Sequence, residues 1–171
     1  EAFVLQVTLA QRRRTASGQV TRPRATRSGG ILEAFDSRLP FKLTAGQREV
    51  GATIADEMAR EVPMHRLLQG EVGSGKTVVA LRAMLAAVDA GGQAALLAPT
   101  EVLAGQHHRT ITTMLGDLAD GGMLGGAENA TRVALLTGSQ PTALRRRTLL
   151  DVASGGAGIV IGTHALLQEN V

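Results

Sequence analysis

GEVGSGKT, at residues 70–77, is the stretch that decides the fold of this 171-residue chain. It fits the pattern G-x-x-x-x-G-K-[ST], in which glycines let backbone N–H groups converge on one anion at the start of a helix. Lys76 and Thr77 are the candidate catalytic residues, because Lys76 is expected to reach the β- and γ-phosphates of ATP and the Thr77 hydroxyl to hold Mg²⁺. An ordinary glycine-rich turn is the alternative, although a chance match is roughly a one-in-a-hundred event. The predicted cofactor-binding residues of this loop are Gly70, Gly73, Ser74, Gly75, Lys76 and Thr77.

Short apolar runs alternate with helical periodicity on both sides of this phosphate loop. Strands are predicted at residues 65–69, 93–98, 133–136 and 159–161. Helices are predicted at residues 44–60, 76–90, 101–118 and 142–153. This alternation is typical of an α/β fold, with a parallel sheet covered by helices on both faces. The phosphate loop then lies between a strand and a helix, which is the context that its pattern requires.

Positive charge is concentrated in the leading segment. Residues 1–30 hold six arginines and a single acid, whereas the rest of the chain holds twelve basic and fourteen acidic groups. Residues 1–11 are expected to form the end of a helix, and the polar residues 12–30 a flexible linker. An arm that binds the DNA backbone is the alternative for this linker. The glycine-rich residues 121–126 are expected to form a surface loop.

The composition excludes several classes of site. Cysteine is absent, so disulfides and thiolate metal sites are impossible. No apolar run is long enough to span a bilayer and no signal peptide precedes the domain, so a cytoplasmic protein without a membrane partner is expected. The three aromatic residues, Phe3, Phe35 and Phe41, all precede the phosphate loop. Without aromatic platforms for bases, any contact with DNA is expected to involve the phosphate backbone.

Further segments resemble the first motor lobe of the RecG family. The members of this family are superfamily 2 ATP-dependent DNA helicases that remodel stalled replication forks. The segments are LPF at 39–41, LTAGQ at 43–47, PMHRL at 63–67, QGEVGSGKT at 69–77, APTEVLAGQH at 98–107, LTGS at 136–139 and IVIGTHAL at 159–166. The likeness covers residues 39–171 in the order and spacing of the family. The transcription-repair coupling translocases share this general plan and are the alternative family. However, the sequence in and before the phosphate loop is more similar to that of RecG.

The resemblance implies a RecA-like P-loop lobe over residues 39–171, preceded by a helical, flexible and basic linker over residues 1–38. It also implies that Gln47 recognises the edge of adenine. Thr44-x-x-Gln47 is at the same time a capping box, which any helix start can use, so that alternative stays open. Phe41 is expected to pack in the core, with a place beside the base as the alternative.

Three segments are expected, from the resemblance, to contact the DNA backbone. Each follows a predicted strand, and small polar residues with unpaired N–H groups suit phosphate contacts. Helix capping by Thr100 and plain turns at the other two segments are the alternatives. The neighbouring His107 and His108 are expected to be structural, and residues 145–147 to form a solvated arginine face rather than a DNA contact. The candidate DNA-binding residues are Pro99, Thr100, Glu101, Thr137, Gly138, Gly162, Thr163 and His164.

The family's acids that hold Mg²⁺ and activate water lie in a D-E-x-[HQ] motif beyond the segment at 159–166. The chain begins with Glu1 and ends before that motif, so we expect a piece of a longer protein, truncated before the Walker B strand. By itself it is expected to fold marginally, to bind ATP weakly and to hydrolyse it negligibly. The whole protein is expected to be a monomeric helicase acting on branched or forked DNA. A non-hydrolysing nucleotide-binding switch or DNA-tethering module and a small-molecule or nucleoside kinase are the alternative functions.

Overall fold

A three-stranded parallel sheet forms the centre of the computed structural model, which describes residues 3–4, 6–8, 11, 20–121 and 129–167. Its strands are β1 (Ala94–Leu97), β2 (Arg132–Leu136) and β3 (Ala157–Gly162). Their order is β1-β3-β2, so the last strand lies between the other two and pairs with both in parallel. The predicted α/β fold with a parallel sheet is therefore confirmed.

Among the described residues from 20 onward, five α-helices accompany the sheet. They are α1 (Ile31–Arg38), α2 (Ala45–Met58), α3 (Lys76–Asp89), α4 (Glu101–Leu115) and α5 (Thr142–Ala153). Two 3₁₀ turns follow α4 and β3, at Gly116–Ala119 and His164–Leu167. The four predicted helices are confirmed to within about one turn, the end of the third being 3₁₀ rather than α. Helical backbone also occurs at residues 3–4, 6–8 and 11. No helix in the described ranges is both long and apolar enough to cross a bilayer.

The central strand β3 is buried along its whole length, because helices cover both faces of the sheet beside it. Ile159 and Ile161 pack against α3 and α4 on one face, in a cluster that includes Leu81 and Leu85. Val160 points to the other face, where α5 covers β2 and β3. This continuous burial explains the uninterrupted apolar run of β3, which is typical of a parallel strand.

The strand predicted at residues 65–69 is absent, and this prediction was wrong. A strand exists only where its N–H and C=O groups form a ladder with a neighbour. Within the described ranges, none of β1, β2 and β3 pairs with residues 65–69, which have no regular secondary structure. Leu68 packs against the core, but Leu67 is 82% exposed. A short apolar run thus leads into the phosphate loop without joining the sheet.

Helix α1 packs on α3 and shares its hydrophobic core. Ile31 and Phe35 are buried in the same cluster as Leu81 and Leu85 of α3. The division of the chain after residue 38 stays a prediction, since α1 lies before that boundary yet contributes to this core. Phe41 was expected to be the core aromatic residue, but it is 50% exposed while Phe35 is 1% exposed.

Polar contacts fasten the same helix to the end of α3. The Asp89 carboxylate accepts hydrogen bonds from the N–H groups of Ile31 at 2.7 Å and Leu32 at 3.1 Å. It therefore satisfies the N-terminal donors of α1 from a different helix. Arg82 donates through Nε and Nη2 to the two carboxylate oxygens of Asp36, at 2.8 and 2.9 Å. Such a two-point arginine–carboxylate pair fixes orientation as well as distance.

The residues before α1 are hydrogen-bonded to the end of α2 and to the chain that follows it. The N–H of Thr21 donates to the C=O of Glu61 at 2.8 Å, and the N–H of Arg24 to the C=O of Met58 at 2.6 Å. The part of the predicted linker at residues 20–30 therefore lies against the lobe. Residues 12–19 of that linker, and residues 122–126 of the predicted glycine-rich loop, lie outside the described ranges.

Replacing Phe35 by alanine should lower the free energy of unfolding by about 3–5 kcal/mol, because a fully buried aromatic side chain is lost from the core. The half-exposed Phe41 provides the matched control, and Phe41→Ala should cost about 1 kcal/mol or less. Urea unfolding followed by circular dichroism measures both values. If Phe35→Ala does not fold, Phe35→Leu should still be destabilised by about 1 kcal/mol. Equal losses at the two phenylalanines would show that α1 is not part of the core.

Candidate functional site

The phosphate loop turns on two glycines with positive φ angles. Gly73 has φ = 84° and Gly75 has φ = 81°, a region that side chains rarely adopt. Gly75 is the N-cap of α3, and its C=O accepts from the N–H groups of Val78 at 3.1 Å and Val79 at 3.3 Å. The loop therefore leads directly into a helix N-terminus, where unpaired N–H groups and the helix dipole favour an anion.

Lys76 lies within this loop. Its ammonium Nζ donates to the C=O groups of Gly70 and Glu71, both at 2.7 Å. Lys76 is one of only two lysines among eighteen basic residues, the other being the exposed Lys42. A compact ammonium fits between closely spaced oxygen atoms better than the wide planar group of arginine does. The positive charge is thus held at the start of α3, on oxygens that a phosphate can replace.

The side chain of Gln47 joins α2 to the phosphate loop. Its Oε1 accepts from the N–H of Thr44 at 2.9 Å, and its own N–H donates to Thr44 Oγ1 at 3.2 Å. The capping box considered from the sequence is therefore present. In addition, Gln47 Nε2 donates to the C=O of Ser74 at 2.9 Å. A Cβ on Gly75 would lie 2.4 Å from this Nε2, so only glycine leaves room for the contact.

A cavity of about 250 Å³ opens beside Gln47 and the phosphate loop. Val50 and Leu68 supply apolar surface, and Gln47 and Lys76 supply donors. A larger cavity of about 610 Å³ lies between residues 26–28, α1, α2 and α3, and it contains no residue of the phosphate loop. Of these two cavities, the smaller one is lined by residues of the phosphate loop, where the N-terminus of α3 favours an anion. Leu68 was not identified as a site residue from the sequence.

The three segments expected to contact DNA lie at one edge of the sheet. Gly162, at the end of β3, is in register with Leu97 of β1 and with Leu136 of β2. The residues that follow the three strands therefore emerge at the same edge of the sheet. A Cβ on Gly162 would lie 2.2 Å from the C=O of Leu136, so this position requires glycine. Parallel sheets of this kind place ligands at the carboxyl ends of their strands.

Two of these segments are joined by a side-chain contact. Thr100 is the N-cap of α4 and its Oγ1 accepts from the N–H of Leu103 at 3.3 Å, so capping by Thr100 is present. The next residue, Glu101, accepts through Oε1 from the N–H of Ser139 at 3.0 Å, and its Oε2 accepts from the Ser139 hydroxyl. These bonds to Ser139 lower the pKa of Glu101 below its ordinary value, with a smaller contribution from the N–H of Gly138. The carboxylate is therefore ionised at neutral pH.

The loop at residues 137–139 differs from the expectation that its N–H groups would be unpaired. Thr137 is buried, and its N–H donates to Gln140 Oε1 at 3.3 Å. The N–H of Ser139 is bonded to Glu101. The expectation failed because both partners are side chains, and Glu101 lies 38 residues away along the sequence. Pro99 and Gly138 are exposed, as is His164 in the turn after β3.

The histidine and arginine candidates on α4 and α5 differ in their surroundings. His108 Nε2 lies 3.3 Å from the C=O of Val133, which ties α4 to β2. Arg146 and Arg147 are exposed on α5. Within the described ranges, no group of three or more histidine, aspartate or glutamate residues could hold a metal ion. Gln47 is hydrogen-bonded to the phosphate loop, whereas Glu101 is hydrogen-bonded to the loop at residues 137–139.

Sequence comparison matches residues 44–171 to the DEAD/DEAH box helicase family. Over all 171 residues the chain is 58% identical to the ATP-dependent DNA helicase RecG of Mycobacterium bovis, of which it covers 23%. Over the same length it is 37% identical to the RecG helicase of Aquifex aeolicus, of which it covers 20%. The chain thus spans less than a quarter of the length of these curated relatives.

Comparison with solved structures gives the same relationship. A RecG protein bound to a three-way DNA junction matches 99% of the chain with a TM-score of 0.83 and 37% identity, over 22% of the solved chain. A hypothetical ATP-dependent RNA helicase from Sulfolobus tokodaii matches 80% of the chain with a TM-score of 0.53 and 21% identity. The second likeness supports the fold alone. The RecA-like helicase lobe expected from the sequence is confirmed.

Replacing Ser139 by alanine should raise the pKa of Glu101 towards its ordinary value of 4.5, because the hydroxyl that donates to the carboxylate is removed. The lowered pKa means that this contact stabilises the fold above about pH 4.5 and is lost as the pH falls through the lowered value. Carboxyl ¹³C NMR titration measures the change. Glu57, whose pKa is lowered mainly by a hydrogen bond from Arg66, is the internal control and should not respond. An unchanged Glu101 pKa would contradict the Ser139 contact.

Proposed function

The chain belongs to the DEAD/DEAH box helicase family and is homologous to RecG helicases over its whole length, and from this we propose that it is the ATP-binding part of a RecG-type DNA helicase. The observation that carries the proposal is the phosphate loop, with Lys76 held inside it at the start of α3. The activity is proposed for the whole protein, because the chain covers only 23% of its first curated relative.

In this proposal ATP binds with its phosphates on residues 70–77. Lys76 exchanges the C=O groups of Gly70 and Glu71 for oxygens of the β- and γ-phosphates. The loop suits a phosphate because its two positive-φ glycines form the turn that leads into α3, and the N-terminus of a helix favours an anion. Thr77, in the first turn of α3, would offer its hydroxyl to Mg²⁺. When bound, this ion neutralises charge on the phosphates.

Gln47 is proposed to recognise adenine. A carboxamide can donate to N7 and accept from the N6 amino group of adenine, so it discriminates adenine from guanine. Gln47 is supported in this role by its place beside the 250 Å³ cavity, next to the apolar Val50 and Leu68. Its amide is shared between Thr44 and Ser74. Adenine must therefore compete for these contacts, which couples base recognition to the shape of the phosphate loop.

DNA is proposed to lie along the sheet edge formed by the carboxyl ends of the strands, around Thr100, Gly138 and Thr163. The support is the shared register at Gly162, which brings the three segments together. The absence of aromatic residues after Phe41 favours contact with phosphates rather than bases. Branched DNA is the proposed partner, because a solved RecG structure that matches the chain is bound to a three-way junction. The whole protein is proposed to act as a monomer in the cytoplasm.

Lys76→Ala should weaken ATP binding by about 10- to 100-fold, because hydrogen bonds to a charged group contribute about 1.5–3 kcal/mol. Titration with a fluorescent ATP analogue, with and without Mg²⁺, measures the affinity. Lys42→Ala is the matched control, since it removes the other lysine at an exposed position, and it should bind ATP as the unmodified protein does. Equal affinities for the two variants would show that the nucleotide does not bind at this loop.

Gln47→Ala should abolish the preference for ATP over GTP as well as weakening ATP binding, because both the adenine contact and the bond to Ser74 are lost. Thr44→Ala is the comparison, since it removes the hydroxyl of the capping box and leaves the Gln47 amide in place. It should lower stability by about 1 kcal/mol and keep the preference for ATP. If Gln47→Ala still prefers ATP, the adenine role is wrong and Gln47 only supports the loop.

A further inference from the structure

The loop at residues 137–139 and the start of α4 follow strands that are not neighbours. β1 precedes α4 and β2 precedes the loop, and β3 lies between these two strands. Ladder hydrogen bonds therefore fix β1 and β2 only through β3. Two strand spacings separate them, roughly 9–10 Å. Beyond the ends of the strands, a separate contact is required to hold these two segments at a fixed distance from each other.

Glu101 supplies a contact across this gap. It is the first residue of α4, and its carboxylate binds both the N–H and the hydroxyl of Ser139. A Cβ on Gly138 would lie 3.3 Å from Glu101 Oε1, so the carboxylate packs closely against the loop. Hydrogen bonds to an ionised carboxylate are stronger than those between neutral groups. Glu101 thus joins the two segments that follow the strands on either side of β3.

Gln140 holds the other side of the same loop. Its Oε1 accepts from the N–H of Thr137 at 3.3 Å, and its Nε2 donates to the C=O of Leu135 at 2.9 Å. Both bonds connect the loop to its own strand and do not reach α4. Among the described residues, the hydrogen bonds between this loop and α4 are made by Glu101, mainly with Ser139 and to a smaller extent with the N–H of Gly138.

We propose that Glu101 is a positioning residue, which ties residues 137–139 to the N-terminus of α4 and so fixes the spacing of two DNA-contacting segments without touching DNA itself. The inference rests on the proposed function, and it assigns Glu101 a different role from the direct contact expected from the sequence. A carboxylate facing a phosphate would repel it. Here both carboxylate oxygens accept hydrogen bonds from Ser139, so the negative charge of Glu101 is satisfied by a group of the protein itself.

The test compares Glu101→Ala, Glu101→Gln, Ser139→Ala and the double alanine variant. Binding to a fluorescent three-way DNA junction is measured by anisotropy at several salt concentrations, and amide hydrogen exchange at residues 137–140 is measured without DNA. Glu101→Ala should weaken binding roughly tenfold, since charge-assisted bonds are lost. It should also flatten the salt dependence, because phosphate contacts made by the loop are lost. Exchange at residues 137–140 should become faster.

Glutamine at position 101 should rescue most of the loss, to within about threefold of the unmodified protein, because its amide can accept from the Ser139 N–H and donate to the hydroxyl. Ser139→Ala should have an intermediate effect, and the double variant should be no weaker than Glu101→Ala, as expected for two residues that act through one contact. Glu61→Ala controls for the loss of one negative charge at an exposed site. Thermal melting confirms that each variant is folded.

Several results would overturn the inference. Tighter binding by both Glu101 variants, beyond that of Glu61→Ala, would mean that the carboxylate occupies a site meant for a phosphate. An equal loss in Glu101→Gln and Glu101→Ala would mean that the charge acts directly. Unchanged DNA affinity or unchanged exchange in Glu101→Ala would show that the contact does not hold the loop. If the unmodified protein binds no junction DNA at any salt concentration, the proposed function fails and the inference falls with it.

Discussion

The pairing of β3 with both of its neighbours is the constraint on which the rest of the structure depends. Because Gly162 is in register with Leu97 and Leu136, every segment that follows a strand emerges at the same edge. The strand can occupy this central place only because helices bury it on both faces. The C=O of Leu136 approaches Gly162 so closely that a side chain at this central position has no room.

A second group of contacts is organised around one amide. Gln47 closes the first turn of α2 and also reaches the C=O of Ser74, so the start of a helix and the phosphate loop share a hydrogen-bonding group. Neither element requires the other for its own backbone bonds. Their relative placement depends on the side chain and on the missing Cβ of Gly75. The proposed nucleotide site therefore lies between two elements and does not depend on the loop alone.

The sequence predicted the features that depend on local pattern. The phosphate loop, the helix starts at Thr44 and Thr100, and the alternation of strands and helices follow from short-range rules, and the structure contains them. Long-range pairings were not predictable in this way. Residues 65–69 read as a strand, but an apolar run becomes a strand only beside a partner. The partner of Glu101 and the burial of Phe35 likewise depend on the tertiary fold.

Helix α3 connects the phosphate loop at one end to Asp89 and the leading segment at the other. Its 14 residues span about 21 Å, and a helix of this length bends little. A tilt of about 5° about the Gly75 end would therefore carry Asp89, and α1 with it, by roughly 2 Å. The helix has the geometry of a lever arm that pivots at the phosphate loop. The chain that precedes α1 is therefore attached to the end of α3 that moves most in such a tilt.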